Sequence, residues 1–210
     1  MNWKLVVKDT KNQPATGSYS DWKEQIAEEC FYQCVYCSIH ESQFGGINNY
    51  HIDHFRPKSF PEFKSLENDI CNLFYSCPIC NRFKSDDWPA EPDINIISYP
   101  DPSKINYSDL FVMTDNYEIF GKYTSSKYLV IRLFLNRAQL IMERREETKV
   151  REVSALMKEL PTLISKLSEI DLKGSFEILL EVDKVKNNIQ ELNERKRKIR
   201  PYKLSDIRKN

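Results

Sequence analysis

The pattern of apolar and polar residues in the first hundred positions is typical of two short strands followed by a helix. The aromatic and β-branched stretch Tyr50–Phe55 predicts a strand that ends at Pro57, because proline cannot donate to a sheet. After a loop, Asn72–Ser76 predicts a second strand. Pro78 suits the first position of a helix, where its missing N–H costs nothing, and Trp88-Pro89 ends that helix.

The second half of the chain changes to a helical period after a short hairpin. Phe111–Met113 and Tyr117–Phe120 predict the hairpin, and the helical pattern begins near Ser126. Leu135–Arg137 predicts a break between two helices. Pro161 is expected to end or kink the second of them, since proline removes a helical hydrogen bond.

The last predicted helix carries an apolar seam at near-heptad spacing. Its members are Ile178, Val182, Val185, Ile189 and Leu192. The seam is typical either of packing on a neighbouring helix or of binding a partner. The tail Arg195–Lys209 holds eight Lys and Arg and one acid, so it is either solvated or contacts phosphates.

Composition and charge narrow the class of protein. Hydrophobic residues make up 40% of the 210, which excludes a wholly disordered chain. No stretch approaches the roughly 20 apolar residues of a membrane-spanning helix, nor is there a signal-peptide run, so we expect a soluble cytoplasmic protein with no membrane contact. Residues 1–100 carry 9 Lys and Arg against 14 Asp and Glu, and residues 101–210 carry 22 against 17. Because residues 1–100 have a net negative charge, we expect them to need residues 101–210 or a partner protein to bind nucleic acid.

Six cysteines fall within the first 80 residues. Four of them form two C-x₂-C pairs, Cys34/Cys37 and Cys77/Cys80. Disulfides require an oxidising compartment, for which there is no targeting evidence, and a redox pair would lie near a βαβ pattern, which is absent. The two C-x₂-C pairs therefore predict a structural Zn²⁺ site rather than disulfides or buried thiols. Cys30 and Cys71 are expected to be small buried residues.

The segment 51–84 holds the residue types that phosphodiester hydrolysis requires. His54 titrates near neutrality and is a candidate general base for water. A hard cation such as Mg²⁺ prefers oxygen ligands, which Asp53 and Asn81 supply. Strict strand alternation would send Asp53 and His54 to opposite faces, so joint action requires the strand to twist or end there. Candidate phosphate contacts are Arg56, Lys58, Arg82 and Lys84.

The order C-x₂-C, D-H-x-x-P, N-L and C-x-x-C-N-x-x-K resembles the zinc-containing HNH (ββα-metal) nuclease superfamily. The resemblance implies an α+β fold with a small treble-clef-like core. It implies that His54 is the general base and that Asp53 and Asn81 hold a catalytic Mg²⁺ or Mn²⁺. Asn72 would stabilise the loop that carries the base, and Lys84 would support the phosphate.

A narrower resemblance covers most of the chain. The segments HIDHFRPKSFPEF, NLFYSCPICNRFKSDDWP and LFLNRAQLIMERRE are similar to the HNH subunit (PtuB) of Septu-type anti-phage systems, some of which are retron-associated. This implies a DNA-cleaving effector in a larger complex with an ABC/SMC-like ATPase resembling PtuA. His51 lies where relatives often carry an acid, which leaves a contact with the catalytic metal open.

The expected organisation is a zinc-stapled nuclease domain over residues 1–100. Residues 101–210 would form a hairpin and a mainly helical region for packing, partner docking and DNA contact. Two other functions stay open at this level. One is a zinc-ribbon module that binds nucleic acid without cleaving it, and the other is an HNH-like ribonuclease toxin directed at tRNA.

Overall fold

The chain divides into two compact units, Met1–Glu147 and Thr148–Asn210, in a computed structural model that describes residues 3–12, 16–167 and 172–198. The boundary expected after residue 100 falls within the first unit. The reason is that buried residues of the hairpin and the next helix, such as Ile119 and Leu129, belong to the same hydrophobic core as the cysteine segments.

The centre of the first unit is a two-stranded antiparallel sheet followed by a helix. β1 (His51–His54) pairs with β2 (Leu73–Ser76), and α2 (Pro78–Lys84) follows directly. Every residue of β2 is buried, which explains why Leu73–Tyr75 is a continuous run of large apolar and aromatic side chains rather than an alternating pattern. The predicted strand, loop, strand and helix are confirmed, and so is the α+β class.

The segment before the first cysteine pair packs on this sheet. A 3₁₀ turn at Tyr19–Trp22 leads into α1 (Lys23–Glu29). An ion pair of 2.9 Å joins Lys8 to Glu29, with side chains only 6% and 7% exposed. The Lys8 ammonium also donates to the carbonyl oxygen of Leu73. The N-terminal residues are therefore held against β2 by polar contacts inside the protein.

A hairpin and a helix complete the first core. The hairpin consists of β3 (Phe111–Met113) and β4 (Ile119–Gly121), and α3 (Thr124–Arg132) packs on it. At Gly121 a Cβ would lie 2.2 Å from the backbone nitrogen of Lys127. Only glycine permits so close an approach of strand and helix.

Two long helices follow, α4 (Ala138–Leu167) and α5 (Leu172–Lys198). Contrary to one predicted outcome, α4 does not end at Pro161. Pro161 removes one helical hydrogen bond, and the other hydrogen bonds of this 30-residue helix maintain it past that position. None of the described helices is long and apolar enough to cross a membrane.

The predicted apolar seam lies on α5. Its half-buried members are Ile178, Val182, Val185 and Ile189. Phe176, Leu179 and Leu180 are at least half exposed on the same helix. The Leu192 side chain and the basic tail beyond Lys198 lie outside the described residues.

Candidate active site and four-cysteine metal centre

Four buried thiols form one compact cluster. The sulfur atoms of Cys34, Cys37, Cys77 and Cys80 all lie within 4.8 Å of one another, and the Cys37 and Cys77 sulfurs are 3.8 Å apart. A tetrahedral zinc site with Zn–S bonds of about 2.3 Å has sulfur–sulfur edges of about 3.8 Å. Burial raises the pKa of Cys34 well above its ordinary value, so thiolates here require a compensating cation. The cluster fits zinc.

Each cysteine pair is presented by a different local structure. Cys34 precedes a tight turn in which the Ser38 N–H donates to the Cys34 carbonyl at 2.8 Å. Ser38 adopts a φ of 59°, a left-handed conformation that closes the turn. Cys77 instead caps α2, and its sulfur accepts the N–H of Cys80 at 3.3 Å. Backbone N–H groups directed at sulfur favour the thiolate form.

One arginine faces the cluster from outside the predicted domain. The Nη2 atom of Arg137 lies 3.8, 3.9 and 3.7 Å from the sulfurs of Cys37, Cys77 and Cys80. Its Nη1 atom donates to the Leu133 carbonyl at 3.1 Å, which fixes the guanidinium. Four thiolates and one Zn²⁺ carry a net charge of −2, and Arg137 offsets part of it. Sequence reasoning missed this residue.

The two remaining cysteines differ in environment. Cys30 is buried as expected, and burial raises the pKa of its thiol to about 11. Cys71 is exposed, so the expectation that it is buried was wrong. Its backbone N–H donates to the Asp69 carboxylate at 2.9 Å at the start of a 3₁₀ turn, which turns the residue to the surface.

A cleft of about 290 Å³ opens where β1 ends. Asp53, His54, Asn81 and Lys58, all predicted site residues, line it together. Strand alternation would separate Asp53 from His54, but His54 is the last residue of β1. The chain leaves the sheet at that point, and both side chains reach the cleft.

His54 is held in the orientation and tautomer of a base. Its Nε2 atom lies 3.0 Å from the carbonyl oxygen of Glu67. Because a carbonyl only accepts, Nε2 carries the hydrogen, and the lone pair of the neutral ring lies on Nδ1. The Tyr19 ring packs edge-on against the imidazole at 4.6 Å. Burial lowers the pKa of His54, so the ring is neutral at neutral pH.

Asp53 is 4% exposed and accepts two hydrogen bonds from buried side chains. The Tyr36 hydroxyl donates to its Oδ2 at 2.5 Å, and the Lys84 ammonium donates to its Oδ1 at 3.2 Å. Lys84 also donates to the His54 carbonyl at 2.9 Å. The Lys84 side chain has no exposed surface, so its predicted contact with phosphate is corrected to an ion pair with Asp53.

Asn72 braces the loop after β1. Its Oδ1 accepts the Arg56 N–H at 2.8 Å, and its Nδ2 donates to the carbonyls of Arg56 at 3.0 Å and Leu66 at 3.3 Å. Through these bonds one amide joins both ends of the loop between the strands. Asn72 therefore contacts the backbone on both sides of the connection that follows His54.

Asn81 lies on α2 immediately after Cys80, with its Oδ1 accepting the Ser76 hydroxyl at 3.3 Å. Its amide oxygen and the Asp53 carboxylate line the same cleft, and carboxylate and amide oxygens form a donor set that suits a hard divalent cation. His51 is exposed and does not line this cleft.

The three remaining candidates for phosphate contact occupy different places. Lys58 lines the cleft and pairs with Glu67 at 3.1 Å. Arg56 pairs with Glu91 at 2.6 Å and does not line the cleft. Arg82 is exposed on the last turn of α2 and also lies off the cleft. Of these cations, Lys58 is the one at the site.

Residues 34–87 match the model of the HNH endonuclease family. This segment of the chain is similar to HNH endonucleases. The match includes all four cluster cysteines and the cleft residues Asp53, His54 and Asn81, whereas Tyr19 and Arg137 lie outside it. No curated protein matches the chain. This match supports a nuclease of the HNH family, and the four-cysteine cluster supports a zinc site within the matched residues.

Proposed function

We propose that the chain is a metal-dependent endonuclease that hydrolyses DNA phosphodiester bonds at the β1 cleft. One observation carries the proposal. A neutral imidazole with a free Nδ1 shares a cleft with a carboxylate and an amide oxygen. A base beside oxygen ligands for a cation is the arrangement that phosphodiester hydrolysis requires.

Each residue of the cleft has a separate role in the proposed hydrolysis. His54 accepts the proton of the attacking water on Nδ1, while the Glu67 carbonyl holds the ring. Asp53 and Asn81 would bind Mg²⁺ or Mn²⁺, which when bound stabilises negative charge on the phosphate oxygens. Lys58 contributes positive charge for positioning the phosphate.

The remaining predicted parts have supporting roles. Asn72 holds the loop beyond His54 by its backbone hydrogen bonds, and zinc at the four cysteines fixes α2 and therefore Asn81. Arg56 and Arg82 lie off the cleft, where they would contact phosphates on flanking nucleotides. This last role rests on their charge and partial exposure.

We also propose that the nuclease is the cytoplasmic effector of an anti-phage complex with an ABC-type ATPase. The similarity of three segments to the Septu subunit supports this. The net charge of −5 on residues 1–100 supports it too, because DNA must be brought to the cleft against an unfavourable field. The partner would bind DNA and control its cleavage.

The test of substrate class is incubation with plasmid DNA and with tRNA in the presence of Mg²⁺, with and without the ATPase. The proposal expects DNA products with 5′-phosphate and 3′-hydroxyl ends. Degraded tRNA beside intact plasmid would make the protein a ribonuclease. Binding of nucleic acid without any Mg²⁺-dependent product would make it a zinc-ribbon binding module.

A further inference from the structure

The carboxylate of Asp53 is held by donors from both zinc-binding segments. Tyr36 lies between Cys34 and Cys37, and its hydroxyl is 2.5 Å from Oδ2. Lys84 lies four residues after Cys80 on α2, and its ammonium is 3.2 Å from Oδ1. Each half of the four-cysteine centre thus sends one donor to the same carboxylate.

The surroundings of Tyr36 leave its hydroxyl little freedom. Its side chain is fully buried, and its ring packs against Tyr99 at 6.3 Å and Tyr107 at 6.5 Å between centroids. A phenol has few rotatable bonds, so a packed ring places its oxygen accurately. The Tyr107 hydroxyl is committed elsewhere, donating to the Pro100 carbonyl at 2.7 Å.

The two donors leave Asp53 able to bind a ligand from the cleft. Each carboxylate oxygen accepts in about two directions. Tyr36 occupies one direction on Oδ2, and the Lys84 ammonium lies 3.2 Å from both oxygens, which leaves a direction open on Oδ1. Lys84 compensates the buried negative charge, while Tyr36 contributes direction without charge. Hydrogen bonds to a metal-binding carboxylate fix its orientation and typically change metal affinity about 10–100-fold.

We propose that Tyr36 is a positioning residue that orients the Asp53 carboxylate for the catalytic cation and couples the zinc centre to the cleft. The proposal rests on the proposed function for the role of Asp53 as a metal ligand. The zinc centre then does more than stabilise the fold. The turn between Cys34 and Cys37 also sets the orientation of the Asp53 carboxylate.

The test compares Tyr36→Phe with Tyr107→Phe in the full-length zinc-loaded chain. Both changes remove one buried phenolic oxygen, but Tyr107 donates to a backbone carbonyl and not to Asp53. Mn²⁺ binding is titrated by electron paramagnetic resonance, and zinc content and thermal unfolding are recorded for each variant. We expect Mn²⁺ affinity about 10–100-fold lower for Tyr36→Phe and unchanged for Tyr107→Phe, with one zinc retained in both.

A second comparison distinguishes an effect through Asp53 from a general loss of stability in Tyr36→Phe. In an Asp53→Asn background, adding Tyr36→Phe should leave Mn²⁺ affinity unchanged, because Tyr36 acts through the carboxylate. Equal Mn²⁺ affinity in Tyr36→Phe and Tyr107→Phe would overturn the proposal. A further loss of Mn²⁺ affinity when Tyr36→Phe is added to Asp53→Asn would also overturn it, and so would a wild-type chain that binds no Mn²⁺. A wild type that binds Mn²⁺ as expected, with the predicted variant pattern, but cleaves no nucleic acid would instead refute the proposed function alone.

Discussion

At the residue scale, the most constrained feature is the buried ion pair between Lys84 and Asp53. Neither side chain has appreciable exposure, and each partner satisfies a charge that the interior would otherwise leave uncompensated. The sequence motif predicts that Lys84 contacts phosphate, which would require an accessible side chain. Burial of a lysine depends on long-range packing, which a local pattern does not contain.

Replacing Lys84 with methionine is expected to lower the free energy of unfolding by about 3–5 kcal/mol, because it leaves the Asp53 carboxylate buried and unpaired. Urea denaturation measures the change. The control is Lys64→Met, which removes an exposed ion pair with Glu67 and should lower the free energy of unfolding much less, because solvent screens exposed charges. Equal losses for the two variants would contradict the account of the pair.

Arg137 is a second residue that long-range packing brings to its place. It lies 57 positions after Cys80, and nothing in the spacing of the motifs points to it. Arg137→Gln is expected to release zinc about 10–100-fold more readily to a chromogenic chelator, because a cation near the thiolates is lost. The exposed Arg82→Gln is the matched control. Zinc release at the wild-type rate in Arg137→Gln would show that its charge is immaterial.

At the scale of elements, the ββα core could be predicted because its signals are local. The aromatic and β-branched stretches, the two prolines Pro57 and Pro78, and the cysteine spacing indicate where each element starts and stops. The meeting of Asp53 and His54 in one cleft could only be stated as a requirement, since it depends on where β1 leaves the sheet. Tyr36 carried a signal, a polar aromatic residue between two ligands, but nothing in the pattern named its partner.

Helix α2 is expected to depend on the metal centre, because Cys77 is both a ligand and its N-cap. Cys77→Ser should bind less than one zinc per chain and lose cooperative unfolding, as followed by metal analysis and circular dichroism. Cys71→Ser is the control, since Cys71 is exposed and lies outside the cluster. A Cys77→Ser chain that folds normally would contradict a structural role for zinc.

At the scale of the whole molecule, charge and apolar surface are unevenly distributed. The net charge of −5 on residues 1–100, which hold the β1 cleft, contrasts with a net charge of +5 on residues 101–210. The second unit carries the α5 seam, and Phe176, Leu179 and Leu180 leave further apolar surface on that helix. Helices commonly pair through such surfaces. We propose that this unit is the docking region for a partner.

The docking interpretation predicts that the full-length chain co-purifies with the ABC-type ATPase and that a chain ending before Pro161 does not. The truncation removes α5 while keeping residues 1–147, the first compact unit. Zinc content serves as the control for folding of the shortened chain. If the shortened chain binds the ATPase as tightly and cleaves DNA no more freely, docking resides elsewhere.

The most direct measurement of the central claim is the rate of Mg²⁺-dependent plasmid cleavage by His54→Ala beside the wild type, assayed with the ATPase present. Loss of a general base is expected to reduce the rate about 10²–10⁴-fold while zinc content, unfolding and DNA binding stay near wild type. His40→Ala, which changes an exposed histidine bonded to Ser42, should retain wild-type cleavage. Undiminished cleavage by His54→Ala would contradict the assignment of the β1 cleft as the active site.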